Sequence, residues 1–401
     1  MGIDQDLSTL GCRLCGSQDV NIISENMALA TPVPYPLEGD MVLSSCKSCQ
    51  FVGAETSSVA VDYEDYYREY NKHQTREGPL ADLDLEYFKK IIDLVQRVSP
   101  GIFDGARVLD FGSGAKQFSE ISLSQGASSA SNFDLQEELS GDTFEIIVST
   151  HCFEHIYDFN SEIRRIWSVL ADGGVFCIAV PDIRGYSDYY YGPYNCFDLE
   201  HINHFDCDSL NEALERNGFT ALVISESERF VTETLVYPEI VIVAKKKTDT
   251  QRTAVYQSIR KPIRAVMESY MQRSSEDISF TLSRATQVFE DHQRIGVKAV
   301  YGIYGLSSYA FRLLTLWDIT GIPLSWLADT DKRLASKKIH DIEIYDLSGF
   351  ERDVNRQASL GVRHVCFIAA VNAHRIEKFL LDLGMESLEV HVLPPDCQNR
   401  R

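Results

Sequence analysis

Between residues 106 and 244, short apolar runs alternate with amphipathic stretches, as strands and helices taken in turn would. The runs are RVLDFG (107–112), SSASNFD (128–134), FEIIVS (144–149), VFCIAVPD (175–182), TALVISE (220–226) and EIVIVA (239–244). Helical spacing fills several of the gaps, notably FNSEIRRIWSVLADG and DSLNEALERNGF, each closed by glycine. Strands alternating with helices bury both sheet faces, so the pattern predicts a doubly wound, Rossmann-like α/β domain. From residue 297 a second alternation begins with VKAVYGIYG, a helix from Ser307 to about Asp318, PLSWLADTD, HVCFIAAV, a further helix and LEVHVLPP. It predicts a smaller Rossmann-like α/β domain. The connecting residues 253–295 read as mostly helical with a break at RSSED.

The N-terminal part has a different texture. Two C-x-x-C pairs, Cys12-Arg13-Leu14-Cys15 and Cys46-Lys47-Ser48-Cys49, flank a segment containing ALATPVPYPLEGD, which reads as an irregular loop. Two thiolates from each of two tight knuckles complete the tetrahedral shell of a structural zinc site, so Cys12, Cys15, Cys46 and Cys49 are the candidate zinc ligands. Tyr63, Tyr66, Tyr67 and Tyr70 then recur at helical spacing, either as a packed aromatic stripe or as a lid over a small-molecule site. An amphipathic helix is predicted over 85–98. These features divide the chain into a zinc-binding domain with a tyrosine-rich segment (1–75), a central domain (76–250), and a helical linker plus second α/β domain (251–401).

Composition narrows the functions open to this architecture. Lys plus Arg number 38 against 59 Asp plus Glu, a net charge of −21 over 401 residues, which repels polyanions and argues against nucleic acid as a partner. No apolar run approaches the ~20 residues of a membrane helix, and MGIDQDLSTL lacks the basic start and apolar centre of a secretory signal. The expectation is a cytoplasmic protein without a membrane partner. Six of the ten cysteines are scattered and read as ordinary thiols.

The central domain carries the chemistry. Strand RVLDFG runs into Gly112-Ser113-Gly114-Ala115, where glycine lets backbone approach a ligand and the following helix offers free N–H groups. Asp110 sits inside this strand end, and Asp134 ends the next strand, where an acid can accept both hydroxyls of a ribose. Ser149-Thr150-His151-Cys152-Phe153-Glu154-His155-Ile156 follows the next strand, at the end of the sheet where open α/β folds bind ligands. In this order the residues resemble a class I S-adenosylmethionine-dependent methyltransferase. VLDFGSGA looks like its glycine motif, Asp134 like its ribose ligand, FEIIVSTHCFEHI like its fourth-strand motif, and WSVLADGGVFCIAVPD like the helix, turn and strand that follow. The resemblance implies S-adenosylmethionine as cofactor, held by Asp110, Gly112, Ser113, Gly114, Asp134, His151 and His155. The stretch from Asp134 to Phe144 is too short for the family's usual helix and third strand.

Beyond the fifth strand lies IRGYSDYYYGPYNCFDLEHINHF, where an insertion would cover the transferred methyl group. Histidine titrates near neutrality, so His201 or His204 there can take a proton while a carboxylate such as Glu200 orients it. With the paired cysteines and the second α/β domain, the layout resembles the sugar C-methyltransferases. That resemblance implies a nucleotide-linked ketosugar as the small-molecule substrate and assigns the base to the Glu200–His201 pair; His201 is read here as the base, assisted by Glu200 or His204. The rival expectations are O- or N-methyl transfer on the same scaffold and a non-catalytic binding protein built from Rossmann units. In the C-terminal domain, Gly302-Ile303-Tyr304-Gly305-Leu306-Ser307-Ser308 occupies the place of a dinucleotide fingerprint without its glycine pattern, which points to an architectural role. An acidic chain that binds an anionic nucleotide sugar needs a local Arg or Lys facing the diphosphate.

Overall fold

A computed structural model describes residues 11–30, 38–56, 63, 65–66, 79–112, 117–133, 142–232, 235–248, 262–332, 334–339, 341–370 and 372–393. By their contacts these fall into two compact units. The first comprises Met1–Asn26, Met41–Tyr189 and Glu200–Met267, and the second Met27–Asp40, Tyr190–Leu199 and Glu268–Arg401.

The first unit is built on a six-stranded sheet. Its strands are β4 (Arg107–Phe111), β5 (Ser129–Phe133), β6 (Phe144–Thr150), β7 (Leu170–Pro181), β9 (Phe219–Phe230) and β10 (Val236–Lys246), in the order β5-β4-β6-β7-β10-β9. The first four pair in parallel, and β10 lies antiparallel between β7 and β9. Both faces are covered, as residue alternation shows. Phe176, Ile178 and Val180 of β7 join Ile240, Ile242 and Ala244 of β10 in one core, while Val175, Cys177 and Ala179 join Val241 and Val243 in the other. A period of two with apolar residues at every position is what burial on two sides demands. Among the described residues no strand falls between β5 and β6 in sequence, in keeping with the short 134–144 stretch.

Helices α1 (Pro79–Val98), α2 (Gln117–Ser124), α3 (Phe159–Val169) and α4 (Cys207–Arg216) belong to this unit. Asp158 caps α3 by accepting from Ser161 N at 3.0 Å, and Asp206 caps α4 through a reciprocal pair with Ser209. The sequence pattern runs α3 on through ADG, but the helix stops at Val169. Leu170 is already extended, and residues 171–174 form a bulge in β7, where the register against β6 jumps between Phe144 and Ile146.

A small sheet of β1 (Val20–Ala30), β2 (Glu38–Cys46), β3 (Val52–Thr56) and β8 (Asn203–His204) carries the paired cysteines, in the order β1-β2-β3-β8. The expected irregular loop at 28–40 is therefore partly strand, since residues 28–30 continue β1 and 38–40 begin β2. Cys12, Leu14, Cys46 and Phe51 share one core with Phe153, Phe159 and Phe205 of the larger sheet's flank.

In the second unit, α5 (Ile263–Ile295) runs unbroken through RSSED; its Glu268–Ile295 portion lies in this unit. Tyr270, Ser274, Ile278, Leu282 and Ala285 are buried at helical spacing, so Ser274 is a small residue on the packed face while Ser275 and Glu276 are exposed. Strands β11 (Ala299–Tyr304), β12 (Leu324–Ala328), β13 (Lys338–Ile339), β14 (Ile342–Tyr345), β15 (Arg363–Ile368) and β16 (Leu388–Val392) form a sheet in the order β13-β14-β12-β11-β15-β16. All pairs are parallel except β13 with β14. With α6 (Ser308–Leu316), α7 (Leu347–Ser359) and α8 (Ala373–Asp382), this is the Rossmann-like half that the second alternation predicts. No described helix is long and apolar enough to cross a membrane.

Candidate active site and cysteine knuckles

At the carboxyl end of β4, Asp110 is buried, and burial pushes its carboxyl up to about 8. Gly112 follows in the left-handed region at φ 75°, and a Cβ there would stand 2.2 Å from Cys152 Sγ, so a side chain is excluded on both grounds. Ser113, Gly114 and Asp134 lie outside the described residues.

Beyond β6 the chain turns at His151, whose φ of 50° is rare for a non-glycine residue. This turn places its imidazole between two buried carboxylates, with Nε2 2.8 Å from Glu239 and Nδ1 3.5 Å from Glu154. Burial pulls the imidazolium down, but the bonds to Glu154 and Glu239 outweigh it and hold His151 above the usual range. Burial is the largest effect on Glu154 and opposes its charge, yet the bond to His151 and the fields of the neighbouring histidines together outweigh it and draw its carboxyl to about 2. Tyr87 donates to Glu239 Oε2 at 2.6 Å, and Ser227 to Oε1 at 2.7 Å. Glu239 escapes sequence reasoning; its signal is a single acid heading the apolar run EIVIVA.

Three of the candidates meet beside this array. His155 Nδ1 donates to Glu200 O at 2.9 Å in the tautomer protonated there, and the His155 and His201 rings pack edge to face at 4.7 Å. Burial pulls His155 down to about 4, so its ring is neutral. Tyr66 donates a short hydrogen bond to Glu200 Oε1. Tyr63 and Tyr66 are buried, whereas Tyr67 and Tyr70 lie outside the described residues. Ile202 N donates to Glu154 O at 2.9 Å, tying the Glu200–His201 segment to the end of β6. His204 lies elsewhere, in β8, where Nδ1 meets the Tyr186 hydroxyl at 3.2 Å. The donor atoms of Glu154, His155 and His201 all lie within 4.8 Å of one another, a set able to hold a cation.

The two knuckles are near copies. Gly16 N donates to Cys12 O and Cys12 N to Ser17 O; Gln50 N donates to Cys46 O and Cys46 N to Phe51 O. Gly16 and Gln50 both take positive φ at the matching position. Cys12–Cys49 and Cys15–Cys46 sulfurs are 3.5 Å apart, near the roughly 3.8 Å edge of a tetrahedron with Zn–S bonds of about 2.3 Å. The four sulfurs therefore fit a metal. Arg13, inside the first knuckle, was not among the sequence candidates. Its Nη2 donates to Ala54 O at 2.6 Å and to Ile202 O at 2.8 Å, and its Nε lies 3.3 Å from Glu55. Gly53 admits this guanidinium, since a Cβ there would lie 3.2 Å from Nη2.

Residues 83–224, which span β4 to β7 and the Glu200–His201 segment, match a family described as a methyltransferase domain. No curated protein matches the chain. Solved structures similar to part of it include 1,6-didemethyltoxoflavin-N1-methyltransferase of Burkholderia thailandensis, with 1,6-didemethyltoxoflavin and S-adenosylhomocysteine bound. It is 16% identical, with 50% of this chain and 98% of that one covered and a TM-score of 0.35. Magnesium protoporphyrin IX methyltransferase of Synechocystis PCC 6803, with S-adenosylhomocysteine bound, is 13% identical over 46% and 94% at a TM-score of 0.33. An S-adenosylmethionine dependent methyltransferase of Mesorhizobium loti is 17% identical over 38% and 96% at 0.31.

Proposed function

We propose, from the premise that residues 83–224 are a class I S-adenosylmethionine-dependent methyltransferase domain, that this enzyme methylates the carbon beside a ketone of a nucleotide-linked sugar. The observation that carries this reading is the meeting of Glu200 and His201 with His155 at the end of β6. When bound, S-adenosylmethionine supplies an electrophilic methyl group on a sulfonium. Asp110 and the Gly112 turn, with Ser113, Gly114 and Asp134, are its assigned holders, and His151 and His155 border it.

His201 removes the proton from the acceptor carbon, which becomes the nucleophile. His155 fixes the backbone before His201 by donating to Glu200 O, and Tyr66 holds the Glu200 carboxylate. The protein's contribution is positioning: acceptor and methyl group are held at near-attack distance, removing an entropic barrier. His204 steadies the strand through Tyr186. Cys12, Cys15, Cys46 and Cys49 hold a structural zinc, whose role is to fix the knuckles.

A second reading, O- or N-methyl transfer, draws on the Glu154–His155–His201 donor set, because a cation held there would acidify a bound hydroxyl. Tritiated S-adenosylmethionine with a panel of thymidine and uridine nucleotide sugars tests the first reading. His201→Ala should keep S-adenosylhomocysteine binding and lose turnover by about 10²- to 10⁴-fold. Wild-type turnover in that variant would remove the base assignment. NMR of the product separates a C-methyl from an O-methyl group, and metal analysis returns one equivalent on the first reading and two on the second.

A further inference from the structure

Glu154 carries a buried oxygen that the surrounding side chains leave unsatisfied. The side chain is 2% exposed, Oε1 faces His151 Nδ1 at 3.5 Å, and Oε2 has no hydrogen-bond partner among the described residues. A carboxylate oxygen buried without a donor is costly, because nothing offsets its lost hydration. Two imidazoles stand beside it. His155 Nε2 lies 3.8 Å from Glu154 Oε1, and the ligand atoms that Glu154, His155 and His201 can each offer lie within 4.8 Å of one another. One carboxylate with two imidazoles is the donor set of open zinc sites and suits other late first-row divalent cations.

The set is also held as a ligating site must be. A backbone carbonyl only accepts, so the contact of His155 Nδ1 with Glu200 O at 2.9 Å puts the proton on Nδ1 and leaves Nε2 as the lone-pair nitrogen. Metal-bound histidines are oriented in this way, by a hydrogen bond from the other ring nitrogen. The two chain segments that supply the rings are tied together. Glu154 and His155 lie on the 3₁₀ turn Phe153–His155, and the Phe153 and Ile156 carbonyls accept from Asn203 Nδ2 at 2.9 and 2.7 Å. Ile202 N donates to Glu154 O at 2.9 Å, and the His155 and His201 rings pack at 4.7 Å. All of these residues belong to the first unit.

We propose that Glu154, His155 and His201 form a second metal site, separate from the cysteines, whose exchangeable divalent cation regulates the enzyme by occupying His201. The regulation rests on the reading of His201 as the base. A ring nitrogen that ligates a cation has no lone pair left for a proton, so filling the site stops proton removal and emptying it restores it. Three ligands, one of them charged, hold a cation less tightly than four thiolates, so the knuckles keep their metal while this site exchanges.

Titration of Co²⁺ into the full chain carrying zinc in its knuckles, followed by calorimetry and visible absorption, tests this in wild type, Glu154→Gln and His201→Ala. Wild type takes up one equivalent, with ligand-field bands and without the thiolate charge-transfer absorption of cobalt bound to cysteine. Each variant binds it about 100-fold more weakly. A wild type that takes up no cobalt overturns the proposal, as does equal uptake in wild type and both variants, or charge-transfer absorption that places the cobalt on cysteine. If Glu154→Gln fails to fold, His201→Ala supplies the comparison. Turnover with the nucleotide-sugar panel, measured as the site fills, separates this inference from the reading beneath it. Loss of turnover that dialysis restores is the expected result. Uptake that leaves turnover unchanged or raises it overturns His201 as the base, and the regulation with it, while the metal site stands. Absence of uptake, with turnover lost in His201→Ala, overturns the metal site while the base stands.

Discussion

Asp110 is the residue through whose ionisation the proposed cofactor site is most directly tested. Its carboxyl, pushed up to about 8 by burial, is mostly protonated at neutral pH in the free protein. The unfolded chain ionises it near 3.8, so the free protein loses stability as pH rises from about 4 to about 8. Asp110→Asn should remove that loss, stabilising the free protein by up to about 4 kcal/mol at pH 7. If Asp110 meets the cofactor's ammonium as proposed, the cation favours the ionised form, and affinity for S-adenosylhomocysteine should rise about ten-fold from pH 6.5 to 8 in wild type and stay flat in Asp110→Asn. A flat wild-type profile would show that Asp110 does not meet the cofactor's charge. Gly112, Glu200 and His201 were legible as residues because their types and spacing carry chemistry. Glu239 was not, because a lone charge inside an apolar run says nothing about whether it is paired until the neighbouring elements are in place.

Among the elements, the first knuckle does more than present two thiols. Arg13 fastens Ile202 O, Ala54 N donates to the same carbonyl at 2.9 Å, and β8 pairs Val52 with His204, so the strand that follows His201 is fixed from the cysteine side. Arg13→Ala removes two charge-assisted bonds from a largely buried site, and should lower stability by about 3 kcal/mol. Because Cys12, Leu14, Cys46 and Phe51 share a core with Phe153 and Phe159, chelating the metal should lower a single melting transition and abolish S-adenosylhomocysteine binding with it. A metal-free protein that melts and binds like the loaded one would defeat the zinc assignment. The strands of the large sheet were readable from their apolar runs. The break at RSSED was not real, since a polar run reads as a loop when its one buried member, Ser274, is small. The strands flanking the cysteines were missed because the proline-rich stretch between them masks their alternation.

At the scale of the whole molecule, the net charge of −21 suits a sulfonium cofactor and would oppose the anionic acceptor proposed above. The sheet order β5-β4-β6-β7-β10-β9 brings Asp110, Gly112, His151 and Glu154 to one end of one sheet, which is what a single cofactor site requires. Everything proposed for the acceptor depends on that site. The most direct test is calorimetric titration of the metal-loaded wild-type chain with S-adenosylhomocysteine, repeated with Gly112→Val, whose side chain would collide with Cys152. The account predicts one equivalent bound by wild type and none by the variant; a wild type that binds no S-adenosylhomocysteine would contradict it.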